Sequence, residues 1–450
     1  MNSAQGSLRG VFIRGCAVLI VVSLVGAIAA AFQGPDWLAP AEFGVAPARV
    51  DASTFSTAWP IKHVIFLVKE NRTFDNMFGR YPGVEGVRQG LDKGEVRPLT
   101  RTPDSLPNDI KHCYPCALEA WNDGAMDGFA RDPVADLYAY TQMARGDAPN
   151  YWRWAHRFVL ADNFFASAQG PSFPNHLYSI AATSGGTHDN PVQSPGELKR
   201  RHDETGLFKS WGCSSPKDAY VEVTDSEGVV ERVPPCFDFQ TEGDLLNGAD
   251  IPWVYYSPTP YQNGYLWSAY DAVRHVREDP AEWQAHVFPV DSLVDHIHQG
   301  LLPPVTWVTP RFESSEHPEY SFCQGENWTT EVVNAVMTSD MWKDTAIFIT
   351  WDDYGGFYDH VPPPQVDDFG FGFRVPLLIL SPYARAGYVD HTLGEFSSVL
   401  RFIEDNWGLN QLTLRDTNAD NLTQAFDFTQ EPQEPDPLPL RECPPFDPPG

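Results

Sequence analysis

The sequence predicts an α/β fold, a three-layer α/β/α sandwich around a mostly parallel sheet. Apolar runs of strand length and β-rich composition occur at 64–68, 158–161, 251–256, 305–308, 346–351 and 377–380. Helical patterns lie between these runs. One covers 395–407, where apolar residues recur at helical spacing and Gly408 follows as a stop signal. Strands that alternate with helices favour a parallel sheet covered on both faces.

The chain is long enough, and apolar enough, for a large globular core. It has 450 residues, of which 42% are hydrophobic. The 60 acidic residues outnumber the 31 basic ones, which gives a formal net charge of -29. This balance argues against binding nucleic acid or anionic lipid surfaces by bulk electrostatics, so we expect no nucleic-acid partner. The oligomeric state leaves no signal in the sequence.

Residues 1–32 have the pattern of an export segment. Arg9 and Arg14 precede an apolar stretch, 17–32, that ends in small residues. Its length lies between that of a signal core and a full membrane span, so cleavage as a signal peptide and retention as an N-terminal anchor both remain open. Either way the arginines keep the N-terminus inside, and we expect the rest of the chain to be exported. Residues 33–60 are rich in Ala and Pro and are predicted to be a linker.

The cysteines fit the same compartment. Six remain after the export segment: Cys113, Cys116, Cys213, Cys236, Cys323 and Cys443. Cys113 and Cys116 form a C-x-x-C motif, for which a structural disulfide is favoured over a redox pair or a zinc site, because nothing completes zinc ligation. Cys213 and Cys236 are the preferred pair, since they would close a loop in the least regular part of the chain.

Residues 61–410 are predicted to form the catalytic domain, and two further segments differ from it in composition. Residues 185–250 are irregular and of mixed charge, and we predict an insertion that forms a lid over the site. Residues 411–450 are acidic and proline-rich, and a poorly packed tail is expected there.

Three polar segments carry the candidate chemistry. Ligands of parallel α/β sheets bind beyond the carboxyl ends of the strands. Glu70 and Asn71 follow the run 64–68 and supply hard oxygen ligands. Asp352 and Asp353 follow the run 346–351, and adjacent carboxylates repel each other unless a cation relieves them. Ser172 opens a helical segment, where free amides favour a phosphate and a metal could activate the hydroxyl. Solvated turns and a helix cap are the alternatives.

Together these segments resemble the phosphoesterase family that contains bacterial phospholipases C and acid phosphatases, within the alkaline phosphatase superfamily. Four motifs carry the resemblance, at 69–75 (KENRTFD), 170–177 (GPSFPNHL), 351–361 (WDDYGGFYDHV) and 396–404 (FSSVLRFIE). In order and spacing they cover about 61–409. The resemblance implies an alkaline-phosphatase-like fold and an exported enzyme that hydrolyses phosphate monoesters or diesters, including esters with phospholipid headgroups.

The resemblance also implies a set of site residues. The expected metal ligands are Glu70, Asn71, Asp352, Asp353 and Ser172, which is also the nucleophile. They would bind one divalent ion, and the oxygen ligands favour calcium or magnesium. Phosphate-contacting groups are expected at His112, His275 and His317, with Asn122 and His360 as further candidates. The implied mechanism passes through a phosphoserine, with His317 or His275 protonating the leaving alcohol.

Two alternative functions are a sulfatase and a non-catalytic binding protein. The segment from Ser172 to His176 approaches the sulfatase signature, but His176 stands where that signature requires arginine. A secreted, non-catalytic protein that binds a phosphate-bearing ligand is the second alternative. It is disfavoured because every expected metal ligand and the serine are present.

Overall fold

The computed structural model describes residues 42–225 and 227–446. The predicted export segment, 1–32, lies outside the described residues, as does the first part of the linker. Among the described residues, no helix has both the length and the apolar composition needed to cross a membrane.

Most strands belong to one large sheet. The strands are β1 (His63–Lys69), β2 (Gln89–Asp92), β3 (Glu95–Pro98), β4 (Thr100–Arg101), β5 (Thr141–Gln142), β6 (Val159–Ala161), β7 (Val221–Thr224), β8 (Val230–Val233), β9 (Trp253–Ser257), β10 (Val287–Pro289), β11 (Val305–Val308), β12 (Thr345–Trp351), β13 (Leu377–Leu380) and β14 (Tyr388–Asp390). Eight of them form the sheet, in the order β10-β9-β11-β1-β12-β13-β6-β14. β13 runs antiparallel to both of its neighbours, and the other pairings are parallel.

The register of β1 and β12 positions the candidate site. The two strands pair residue for residue along their length, from His63 with Thr345 to Lys69 with Trp351. The residues that follow both strands therefore leave the sheet side by side, at the carboxyl edge where ligands bind in such folds.

Helices cover both faces of the sheet. The α-helices are Phe74–Phe78, Tyr114–Trp121, Pro133–Tyr138, Pro149–Arg157, Ser172–Ala181, Pro195–Thr205, Glu242–Gly248, Arg274–Arg277, Pro280–His286, Leu293–His298, Phe312–Ser315, Phe322–Met337, Phe396–Trp407 and Leu414–Asn418. Phe348 and Trp351 point to opposite faces, because side chains alternate along a strand. Phe402 packs against Phe348, whereas Tyr151 packs against Trp351. The predicted α/β fold with a mostly parallel sheet is confirmed.

The predicted strands all form, with small shifts at their ends. Of the eight strands in the large sheet, the short edge strands β10 and β14 were not predicted, and neither were the strands of the three small two-stranded sheets. The predicted helix 395–407 is observed as Phe396–Trp407, and it ends at Gly408 in the left-handed conformation, with φ 72°.

Three disulfides join the six cysteines: Cys113–Cys116, Cys213–Cys236 and Cys323–Cys443. The preferred pair of the sequence analysis therefore forms in the structure. The C-x-x-C motif is also a disulfide, as favoured above. It begins the helix Tyr114–Trp121 and directly follows His112.

The predicted tail, 411–450, is described as far as residue 446 and packs more closely than expected. Cys443 is bonded to Cys323. Leu438 is buried, and its backbone exchanges two hydrogen bonds with the Asn334 side chain, at 2.7 and 2.8 Å. Leu422 and Phe426 are buried in the main core as well, so apolar packing, a disulfide and side-chain hydrogen bonds together hold this acidic, proline-rich segment.

The predicted insertion is more regular than expected. Residues 185–250 contain the helices Pro195–Thr205 and Glu242–Gly248 and the hairpin of β7 and β8. Its Trp211 belongs to a buried cluster with Phe173 and Leu177. The segment therefore packs directly on the helix that begins at Ser172.

Candidate active site

Three carboxylates meet at the carboxyl edge of β1 and β12. Glu70 follows β1, Asp352 and Asp353 follow β12, and all three are fully buried. The Asn71 N–H donates to Asp352 Oδ1 at 3.2 Å. The Gly355 N–H donates to Asp353 Oδ1 at 2.7 Å, and a Cβ on Gly355 would lie 2.6 Å from the Cβ of Asn71. Close backbone packing thus fixes the direction of both aspartates.

Ser172 begins the helix Ser172–Ala181 and faces these carboxylates. Its Oγ lies 3.3 Å from Glu70 Oε2 and 3.2 Å from Asp353 Oδ2. The Asn175 side chain fixes the turn before the helix, because it accepts from the Ala168 N–H at 2.9 Å and donates to three carbonyl oxygens between 168 and 171. The serine hydroxyl is thereby held in one place on rigid backbone.

The three carboxylates repel one another in a site from which water is largely excluded. Burial raises the pKa of Glu70 well above its ordinary range, and the charges of Asp352 and Asp353 add to this. Burial and then Asp353 raise the pKa of Asp352 to about 7. Burial also raises the pKa of Asp353. A bound cation would reverse these shifts, because it favours the charged forms.

The donor set fits a hard divalent cation. The Asn71 side chain is buried beside Asp353, and its Oδ1 has no hydrogen-bond partner in the described structure. Asp352 Oδ2 also lacks one. Buried polar atoms without partners call for an explanation, and carboxylate and amide oxygens are the ligands that calcium and magnesium prefer. The predicted set of Glu70, Asn71, Asp352, Asp353 and Ser172 is therefore assembled in one place.

His176 is a site residue that sequence reasoning did not assign. Its Nε2 lies 2.8 Å from Glu70 Oε1 and 3.9 Å from Asp352 Oδ2. Burial lowers the pKa of His176 to about 4, so the ring is neutral, and Nε2 shares a hydrogen bond with Glu70. The sequence could have identified His176 as a site residue, because it comes four residues after Ser172 and so lies on the same face of the helix.

A buried ion pair lies behind the site. Lys69 Nζ is 3.3 Å from Glu316 Oε1, and both side chains are fully buried. Glu316 also accepts from the Tyr151 hydroxyl at 2.6 Å and from the Trp351 Nε1–H at 2.9 Å. Lys69 directly precedes Glu70, and Glu316 directly precedes His317. The pair therefore connects the strand end that carries a ligand to the loop that carries a histidine.

Ser172 opens into a cavity of about 370 Å³. His112 and His317 line it, together with Lys209 and Trp211 from the predicted insertion. A larger cavity of about 630 Å³ is lined by residues 100–104 and Arg441 and contains none of the predicted site residues, so we assign the chemistry to the smaller one.

The two cavity histidines differ in charge. Burial acts to lower the pKa of His112, but the carboxylates of Asp353 and Asp109 outweigh it and raise the pKa to about 9. Its Nε2 points toward Asp353 Oδ2, 3.9 Å away. Burial, with the charges of His112 and Arg72, lowers the pKa of His317 well below its ordinary range. At neutral pH the cavity thus holds one charged and one neutral imidazole.

The structure does not bring His275 to this cavity. The side chain is partly exposed, with Nδ1 2.8 Å from Asp238 Oδ1 and Nε2 3.1 Å from Asp244 Oδ1. Two acidic partners that are distant in the sequence occupy both ring nitrogens, which the short motif around His275 could not reveal. We therefore propose no catalytic or phosphate-binding role for His275.

Asn122 and His360 also lie elsewhere. Asn122 is exposed at the end of a helix and donates to Asp127 Oδ1 at 2.7 Å. His360 Nδ1 lies 2.6 Å from Asp75 Oδ2, in a network completed by Asp359 and Arg374. Both side chains have structural partners, and neither lines the cavity at Ser172.

The chain also matches the model of a known protein family. The model of the phosphoesterase family matches residues 61–410, so the chain belongs to that family. The resemblance seen in the four motifs is thereby confirmed.

The chain is also similar to several named phospholipases C. The chain is 25% identical to "Hemolytic phospholipase C" of Pseudomonas aeruginosa, over 90% of this chain and 61% of that one. It is 26% identical to "Phospholipase C A" of Mycobacterium tuberculosis, over 92% and 85% of the two chains. It is 25% identical to "Non-specific phospholipase C3" of Arabidopsis thaliana, over 86% and 77%. The match thus spans about three fifths of the Pseudomonas protein.

A solved structure of an alkaline phosphatase superfamily protein from Vibrio parahaemolyticus aligns over 87% of this chain and 75% of its own, with 9% identity and a TM-score of 0.32.

Proposed function

We propose that this protein is an exported, metal-dependent phosphoesterase that hydrolyses phosphate monoesters or diesters, including those of phospholipid headgroups, through Ser172. One observation supports this above the others. The Ser172 hydroxyl lies 3.2 to 3.3 Å from two fully buried carboxylates, in a cluster whose raised pKa values call for a cation.

The nucleophile comes from the helix start. A divalent ion bound by the oxygen ligands would lower the pKa of the serine hydroxyl and offset charge on a phosphate oxygen. Ser172 Oγ would attack phosphorus in line with the departing alcohol, and its hydroxyl proton would pass to Glu70 or Asp353, whose nearest oxygens lie 3.3 and 3.2 Å away. The neutral His176 shares a hydrogen bond with Glu70 and so keeps that carboxylate in place.

The cavity histidines have separate roles. Charged His112 offsets the negative phosphate. His317 Nδ1 is buried and has no hydrogen-bond partner among the described residues. A phosphate nearby raises the pKa of His317, so His317 can protonate the departing alcohol, and the resulting phosphoserine is then hydrolysed by water.

The test uses three chromogenic esters. Chelator-treated protein is assayed with p-nitrophenyl phosphate, bis-p-nitrophenyl phosphate and p-nitrophenylphosphorylcholine, with and without added calcium, magnesium or zinc. We expect metal-dependent turnover, and a phosphoryl group on the peptide that contains Ser172 after acid quenching. Failure to turn over any ester with any ion would contradict the proposal, and ligand binding without turnover would favour the non-catalytic alternative. Ser172→Ala serves as the control.

The proposed export is supported by the pattern of residues 1–32 and by the three disulfides. We expect the full chain to leave the cytoplasm and a chain lacking 1–32 to remain inside. Cell fractionation with thiol labelling tests both points. Free thiols at all six cysteines in the exported protein would contradict the proposal.

A further inference from the structure

Lys209 is a cavity lysine without a carboxylate partner. It lines the same cavity as Ser172, and its Nζ lies over the Trp211 ring, 4.7 Å from the centroid. Among the described residues no ion pair or hydrogen bond reaches this Nζ. Burial is the cause that lowers the pKa of Lys209 to about 8, and no charged neighbour contributes. An unpaired lysine is notable in a chain with a net charge of -29, because carboxylates are abundant around most of its basic groups.

Charge is unevenly distributed in the cavity. The carboxylates Asp109 and Glu319 line the end near His112, where Asp109 Oδ2 is 3.5 Å from His112 Nδ1. Lys209 and Trp211 form a different part of the wall. The exposed Lys111 also lines the cavity, next to His112, whereas Lys209 lies on an aromatic face without a carboxylate partner.

The Lys209 wall is close to the nucleophile and rigid. Trp211 packs edge-on against Phe173, which follows Ser172 directly, with 6.3 Å between ring centroids. Both neighbours of Lys209 in the chain are fixed. The Phe208 N–H donates to a carbonyl oxygen at 2.8 Å, and the Ser210 hydroxyl donates to a buried aspartate at 2.5 Å.

We propose that Lys209 and Trp211 form an anion-binding subsite, and that the preferred esters carry negative charge beyond the single charge of a simple phosphodiester. This inference rests on the proposed phosphoesterase function. The extra charge is either the second charge of a monoester phosphate or an acidic group on one alcohol. A substrate with a quaternary ammonium group at this wall is disfavoured, because it would face the lysine ammonium.

The experiment compares four p-nitrophenyl esters: the phosphate monoester, the propyl diester, the 2-carboxyethyl diester and the phosphorylcholine diester. The propyl and carboxyethyl groups differ mainly in charge. The variants are Lys209→Gln, which removes the charge, and Lys209→Arg, which keeps it. Lys199→Gln makes the same charge change on an exposed helix of the insertion, where Lys199 pairs with Asp203, and is the matched control.

Two of the esters carry two negative charges, the phosphate monoester and the 2-carboxyethyl diester. In Lys209→Gln we expect kcat/KM for these two to fall by about 10- to 100-fold, which is the effect of losing a hydrogen bond to a charged group. The propyl ester should change by less than about threefold, because its single charge is offset by His112 and by the cation that the oxygen ligands would hold. Lys209→Arg should restore the preference. A loss on the monoester alone or on the carboxyethyl ester alone supports the subsite and identifies which charge it binds. An equal change on all four esters, or no change, would overturn it.

A binding measurement separates this inference from the proposed function. Calorimetry with 2-carboxyethyl phosphate and propyl phosphate needs no turnover. We expect the carboxylate to improve the affinity of the wild-type protein about tenfold and to make little difference in Lys209→Gln. If no ester is hydrolysed but this difference is found, the subsite stands and the proposed function fails. Equal affinities in the wild-type protein would overturn the subsite whatever the turnover.

Discussion

Replacing Asp352 by Asn should stabilise the metal-free protein at neutral pH while removing its response to metal. In the folded protein the pKa of Asp352 is about 7, against an ordinary value of 3.8. Since the folded-state value is the higher one, folding binds a proton. The free energy of unfolding therefore falls as pH rises from about 4 to about 7. The shift of about 3 pKa units corresponds to at most about 4 kcal/mol, and part of it is shared with Glu70.

The assay is urea unfolding in the presence of chelator at several pH values from 4.5 to about 7.5, for the wild type and Asp352→Asn. The two proteins should be similar at the acid end, and the variant should be more stable at the neutral end. Calcium or magnesium at about 100 times Kd should raise the free energy of unfolding of the wild type by about 2.7 kcal/mol and that of the variant by little. A variant that is no more stable than wild type at neutral pH in chelator would refute the idea that repulsion among these carboxylates is relieved by a cation.

Three other predictions follow from the site. Ser172→Ala should abolish turnover and phosphoserine formation, with a change in unfolding free energy of about 1 kcal/mol; activity within tenfold of wild type would exclude Ser172 as the nucleophile. Replacing Cys213 and Cys236 by Ser should lower the free energy of unfolding by about 3 kcal/mol in the chain-entropy model and raise KM, since Cys213 lies two residues after Trp211 of the Lys209 wall; an unchanged melting temperature would contradict this. His275→Ala should leave kcat/KM within about twofold, whereas His317→Ala should lower kcat by about 100-fold or more; the reverse order would restore the original assignment.

The sequence was sufficient to predict that Glu70 and Asp352 lie together, because strand ends are easy to recognise. Apolar runs before Glu70 and Asp352 identified two strands, and the general geometry of parallel sheets placed their ends together. The register of β1 with β12 then made the two residues neighbours. The position of Ser172 followed from the helical pattern after it.

Single histidines were the weak point of the sequence analysis. A histidine with a short flanking motif gives no information on what faces its ring. His275 proved to be held by Asp238 and Asp244, which lie more than 30 residues away along the chain. His176 was overlooked because it was read only against a sulfatase signature and not as part of the helix face of Ser172. Long-range contacts of this kind are decided by tertiary packing.

The buried pair of Lys69 and Glu316 carries an evolutionary consequence. Removing one partner would leave an uncompensated buried charge, which costs about 3 to 5 kcal/mol, whereas replacing both by well-packed apolar residues is often nearly neutral. Single substitutions at these positions should therefore be rare among functional members of the family. Across many relatives the two positions should change together or not at all, although 247 residues separate them in the sequence.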